Sequence, residues 1–150
     1  MARPIHIAIV ASRFNDFISK ALLNACCSEL KKQGLKNNQI TTVWVPGSFE
    51  IPLTALKLAQ KKNVDAVICL GAVIRGETYH FEVVANECTR GIMEAGLQSN
   101  KPVVMAVLTT NTIAQAQKRA QVKGDNKGRD AAQTALEMIA LLKRLWEEEL

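Results

Sequence analysis

A chain of 150 residues with 48% hydrophobic and 22% charged residues has globular proportions and suits one domain over 1–150, built around one core. Its longest apolar run, residues 103–108, is far too short to span a bilayer, and the start Met1-Ala2-Arg3-Pro4 lacks the apolar stretch of a secretory signal, so a cytoplasmic protein without a membrane partner is expected. The formal charge is +5, but the basic residues fall in scattered pairs such as Lys31-Lys32, Lys61-Lys62 and Lys143-Arg144, and only 5% of residues are aromatic, so no nucleic-acid partner is expected.

In chain order, short β-branched runs alternate with longer helical patterns. Strands are expected at 5–10, 41–45, 66–72 and 103–108, where apolar residues run almost without interruption. Helices are expected at 17–33, 49–61, 81–98, 112–118 and 127–145. In the first, Ile18, Leu22, Ala25 and Leu30 recur near helical spacing, and Gly34 supplies the stop. In the last, Ala131, Ala135, Met138, Ile139 and Leu142 make an apolar stripe. Alternating β and α elements with continuously apolar strands imply a parallel sheet covered on both faces. The expected fold is a three-layer α/β/α sandwich with a four-stranded parallel sheet and flavodoxin-like winding.

Open parallel sheets bind ligands beyond the carboxyl ends of their strands. The loops expected there are Ser12-Arg13-Phe14-Asn15, Pro46-Gly47-Ser48-Phe49-Glu50, Arg75-Gly76-Glu77-Thr78-Tyr79-His80 and Thr109-Thr110-Asn111. Gly76-Glu77-Thr78 enters a helix, whose free N–H groups suit either an anion or an ordinary cap. His80 can exchange a proton near neutral pH or serve structurally, while His6, in mid-strand, reads as structural. Phe14 and Phe49 can stack on a flat heterocycle or plug the core, and Glu50 can hold a polar ligand or stabilise a helix start. Arg119 and Lys127 flank the turn Lys123-Gly124-Asp125-Asn126 and fit either a phosphate or solvent. The four cysteines, Cys26, Cys27, Cys69 and Cys88, lack metal-ligand spacing and read as reduced small hydrophobes. No dinucleotide fingerprint, Walker motif, nucleophile elbow or clustered metal-ligand set occurs, so no metal or cofactor is expected.

Five blocks together resemble the lumazine synthase family: Arg13-Phe14-Asn15-Asp16, Val45-Pro46-Gly47-Ser48-Phe49-Glu50-Ile51-Pro52, the run from Gly71 to Glu82, Leu108-Thr109-Thr110 and Asn126-Lys127-Gly128. They stand in the family's order and spacing across about 5–142. The resemblance implies condensation of 5-amino-6-ribitylaminouracil with 3,4-dihydroxy-2-butanone 4-phosphate, with loss of phosphate and water. It assigns Phe14 to the pyrimidine ring, Ser48, Phe49 and Glu50 to the ribityl chain, and backbone contacts of Val73 and Ile74 to the ring. Glu77, Thr78 and Arg119 would bind phosphate, His80 would move protons, and Lys127 would approach the substrate with Asp130 nearby. Met105-Ala106 departs from the Phe-Gly of many relatives, so a thioether would line the pocket in place of an aromatic face. Glu77 sets a carboxylate beside the phosphate, which is tolerable where the side chain turns away. The family's site lies between neighbours of a homopentamer. Some relatives assemble as icosahedral 60-mers, and the resemblance leaves open an association with riboflavin synthase. The alternative from another class is a non-catalytic flavin- or lumazine-binding or shell-forming protein of the same fold.

Overall fold

The apolar runs pair into one sheet because the two central strands, buried along most of their length, satisfy their backbones only through their neighbours. The structure, a computed structural model, describes residues 3–148, so Met1 and Ala2 of the expected N-terminal stretch lie outside the described residues. Strands β1 (Ile7–Ser12), β2 (Ile40–Val45), β3 (Ala66–Ile74) and β4 (Val103–Thr110) form a parallel sheet in the order β2-β1-β3-β4. Helices α1 (Asp16–Lys32), α2 (Ile51–Ala59), α3 (His80–Ser99), α4 (Ile113–Lys118) and α5 (Lys127–Glu147) connect or follow them. This is the expected flavodoxin-like sandwich.

Strand alternation divides the core in two. Ile7, Ile9, Ala11, Ile68 and Leu70 meet Leu22 of α1 and Ala131 and Ala135 of α5 on one face. Ala8, Val10, Val67 and Cys69 meet Ala55 of α2 and Cys88 and Ile92 of α3 on the other. Small residues set the helix spacing on both sides. A Cβ at Gly128 would stand 2.1 Å from the Leu22 carbonyl oxygen, and one at Gly91 would stand 2.6 Å from Pro52.

The strands reach further toward the carboxyl edge than the apolar runs suggested. β1 begins at Ile7 and ends at Ser12, against an expected 5–10, and Ser12 pairs with Val45. Ser12 is polar yet fully buried, lodged where Gly71 has no side chain: a Cβ there would stand 2.6 Å from the Ser12 Oγ. Likewise Val73 pairs with Thr109 and Ile74 with Thr110, so β3 and β4 extend together past 72 and 108. Ser12, Thr109 and Thr110, expected in loops, are therefore strand residues. The second helix also divides: a 3-10 turn at Ser48–Glu50 precedes α2, which takes Pro52 in its first turn, where a missing N–H costs nothing, and stops at Ala59 rather than 61.

Candidate active site

The strand ends build a cleft by carrying their ladder into the loops. The Arg13 N–H donates to the Val45 carbonyl at 2.8 Å, and the Phe14 N–H donates to the Pro46 carbonyl at 3.1 Å. Phe14 is thereby held beside the Pro46-Gly47 corner. Asn15 takes a left-handed conformation (φ 60°) and donates its side-chain amide to the Ala72 carbonyl at 3.0 Å, tying the β1–α1 turn to β3. The cleft that results has a volume of about 750 Å³ and is walled by Phe14, Ser48, Phe49, Glu50, Val73, Ile74, Gly76, Thr78 and His80. Phe14 and Phe49 are 72% and 57% exposed, so neither plugs the core; both leave ring faces open to a ligand.

One wall is the segment between β3 and α3. Thr78 Oγ1 accepts weakly from the His80 N–H at 3.4 Å, holding the first residue of α3 against the turn. Among the described residues, the backbone N–H groups of Gly76, Glu77, Thr78 and Tyr79 meet no acceptor of the chain. Gly76 and Thr78 line the cleft, so the turn that enters α3 offers N–H donors there that suit an anion. Glu77 is exposed and does not line the cleft, which removes the conflict its carboxylate would pose.

Arg75 braces this wall. Its guanidinium pairs with Glu82 in the first turn of α3 and lies 4.4 Å from the centre of the Phe81 ring. Its Nε donates to Asn111 Oδ1 at 2.8 Å, and its backbone N–H donates to the Thr110 carbonyl at 2.9 Å. The pairing holds the Glu82 carboxyl below its ordinary 4.5. Arg75 stood within a recognised block but was given no role from sequence, because an arginine after a strand carries no signal until its partners are known.

Met105, Arg119 and Lys127 do not line this cleft. They line a second groove of about 820 Å³ along the outer edge of β4, between α3 and α5, with Asp130 and Thr134. The two cavities share no lining residue. Met105 is 40% exposed because β4 is an edge strand there. Arg119 and Lys127 are brought together by backbone: the Lys127 N–H donates to the Arg119 carbonyl at 2.9 Å. The Lys127 ammonium stands between Asp125 at 3.6 Å and Asp130 at 3.5 Å.

The remaining candidates take the bland reading. His6 is half-buried on β1's approach, its Nε2 2.7 Å from Thr41 Oγ1, far from the cleft end of the sheet. Cys26, Cys69 and Cys88 are buried, and burial pushes their thiols up, Cys88 to about 11. Burial also raises the half-buried Cys27, so none of the four is a thiolate at neutral pH. Among the described residues no His, Cys, Asp or Glu cluster is arranged for a metal ion, and no helix is long and apolar enough to cross a membrane.

In an α/β protein of flavodoxin-like winding, two open aromatic rings, loop N–H groups and an imidazole around one cleft are chemically suited to a flat heterocycle beside an anion. The family model of 6,7-dimethyl-8-ribityllumazine synthase matches residues 4–143, nearly the whole chain, and the chain belongs to this family. Its enzymes are transferases that form lumazine in riboflavin biosynthesis.

Proposed function

We propose that the chain condenses 5-amino-6-ribitylaminouracil with 3,4-dihydroxy-2-butanone 4-phosphate in the cleft between β1, β2 and β3. One observation carries the assignment of residues: Phe14, Ser48, Phe49, Glu50, Val73, Ile74, Thr78 and His80 surround a single cavity. Phe14 stacks on the pyrimidine, Ser48 to Glu50 hold the ribityl chain, and the exposed backbone of Val73 and Ile74 reads the ring edge. The turn at 76–79 receives the phosphate at the cleft wall through the N–H groups of Gly76 and Thr78 and the Thr78 hydroxyl, and the Glu77 carboxylate stays outside the cleft. The uracil's amine attacks the butanone carbonyl to give an imine with loss of water. Phosphate then leaves by elimination, the resulting enol becomes a ketone, and the second amine adds to that carbonyl and expels a second water to close the ring. Each step moves a proton at a bound, reactive partner, which His80 serves as general acid and base. Positioning supplies the rest of the acceleration.

The same reading takes residues 1–150 as one domain in a homo-oligomer. Met105, Arg119 and Lys127 line a groove separate from the cleft, so a neighbouring copy supplies them to it, Arg119 toward the phosphate, Met105 and Lys127 toward the heterocycle. A closed ring satisfies such a heterologous contact, and a pentamer, alone or as a unit of a 60-mer, is the proposed form. Small-molecule substrates in a cytoplasmic protein complete the reading.

The test is direct. Purified protein is mixed with both substrates, and lumazine absorbance is followed against the spontaneous reaction. A rate well above background, lost in the His80→Ala Arg119→Ala double variant, supports the assignment. No acceleration by correctly assembled protein overturns it.

A further inference from the structure

Asn126 is polar and 1% exposed, yet it stands at the end of an otherwise solvent-washed loop. Its Oδ1 accepts from the N–H groups of Gly128 at 2.8 Å and Arg129 at 3.2 Å, capping α5. Its Nδ2 donates to the Gln121 carbonyl at 3.1 Å, across the loop. These partners fix which end of the amide is oxygen. The cap alone would need only an acceptor, as Ser or Asp provides. The donor to Gln121 does something else: it closes the segment joining Arg119 to Lys127.

That segment is closed several times over. Ala120 and Asn126 form an antiparallel bridge, and the Lys127 N–H meets the Arg119 carbonyl. The Gln121 N–H donates to the Asp125 carbonyl at 3.0 Å. Arg129 donates to the Gly124 carbonyl at 2.7 Å and the Val122 carbonyl at 3.0 Å. Gly124 makes the reversal at φ +114°, where a Cβ would also meet the Gln121 side chain at 2.6 Å. A loop whose residues 121–125 are all exposed does not need such closure for the core; Gln121 and Val122 could fray without uncovering anything. What the closure does fix is the approach of the two backbones at its base, where the Lys127 N–H meets the Arg119 carbonyl.

We propose that Asn126 is a positioning residue for the reaction: its amide, assisted by Arg129, holds Arg119 and Lys127 at the spacing that receives the phosphorylated substrate. This rests on the roles given to Arg119 and Lys127 under the proposed function. Arg119 is itself tethered to its own helix, its Nη1 donating to the Gln115 carbonyl at 2.9 Å, so loosening the loop shifts the direction of a preset side chain rather than one that can search freely.

The test uses Asn126→Ser, which keeps an uncharged helix-capping oxygen and removes the donor to Gln121. The KM for butanone phosphate should rise about tenfold, since a displacement of an ångström in a positioning group costs on this scale. The KM for the pyrimidine and the midpoint of thermal unfolding should stay near those of the unaltered protein. A double-mutant cycle separates positioning from general damage. In the Arg119→Ala Lys127→Ala background, Asn126→Ser should add less than about twofold, because both groups it holds are gone. Effects that still multiply in that background, or an unchanged KM in folded Asn126→Ser, overturn the inference. If Arg119→Ala and Lys127→Ala each leave the phosphate KM unaltered, the functional reading falls and this inference with it. Should Asn126→Ser fail to assemble, Arg129→Met opens the same loop from its other side. It must give the same selective rise, and a null result there counts equally against the inference.

Discussion

The cleft and the β4 groove are both concave and similar in volume, but they are built in opposite ways. The cleft is made by strands running on into loops: ladder bonds through Arg13 and Phe14 and a left-handed Asn15 carry the rigidity of the sheet to its rim. Its chemistry is a proton-exchanging ring, open aromatic faces and unpaired donors. The groove is made by an edge strand left uncovered and by a loop stapled to itself. Its chemistry is two cations partly neutralised by Asp125 and Asp130. Each lacks what the other has. A phosphate in the cleft meets N–H donors without a cationic side chain among its walls, and the groove has cations with no heterocycle platform of its own. Under the proposed function, their separation in one chain is what divides the substrate surface between copies.

Damaging the two halves in different chains is the strongest way to break this comparison. His80→Ala should lower kcat by about 10²–10⁴-fold, the usual range for losing a general acid–base group. Arg119→Ala should instead raise the KM for the phosphorylated substrate. Refolded together in equal amounts, the two variants should recover about a quarter of the active sites, because a heterologous ring pairs an intact cleft with an intact neighbouring groove in one arrangement of four. Absence of any recovery would mean that both halves serve the same chain.

The division was only partly legible in the sequence. The period of the apolar residues gave four strands and their flanking helices, since burial on both faces leaves long uninterrupted runs. The carboxyl ends of β1, β3 and β4 were not legible, whereas β2 ends at Val45 as expected. Ser12, Thr109 and Thr110 are polar, and what keeps them in the ladder is a missing side chain at Gly71 and the pairing of β3 with β4, neither of which a local window contains. The cleft residues could be gathered because the fold places strand ends together. Arg119 and Lys127 were legible as the flanks of one turn, but not their contact, which depends on a backbone bond and on Asn126, legible in sequence only as part of that turn. Arg75 escaped for the same reason, its partners Glu82 and Asn111 lying on different elements.

Arg75 sharpens the comparison from the side of the cleft. It joins the β3–α3 segment to the β4–α4 turn through Asn111, so it is the one side chain that braces the proposed phosphate turn against the strand bordering the groove. Arg75→Met keeps the stem against Phe81 and removes the charge and the donors. It should lower kcat/KM about tenfold while assembly persists, since the turn loses its brace and not its N–H groups. Equal kinetics would show that the backbone bond from Arg75 to Thr110 suffices to hold the turn.

The smallest effect concerns the pairing of Arg75 with Glu82, and pH isolates it. The folded carboxyl lies below its ordinary 4.5, because the guanidinium favours the ionised form. A depressed carboxylate stabilises the fold wherever it is ionised in both states, above 4.5, and the contribution fades as pH falls through the folded value. The pair is partly exposed, 44% for Arg75 and 29% for Glu82, so solvent screens it. Glu82→Gln should therefore lower the unfolding midpoint on the order of 1 °C at pH 7 and by less at pH 3. Glu29, held down instead by the amides of Gln33 and Gln133 between α1 and α5, supplies the control. Its replacement by Gln should leave kcat unaltered at every pH, whereas Glu82→Gln, by loosening Arg75, should slow the cleft at neutral pH alone. A Glu82→Gln protein whose midpoint deficit is the same at pH 3 as at pH 7 would reduce the contact to packing, and the brace on the cleft would then rest on Asn111 and the Phe81 ring.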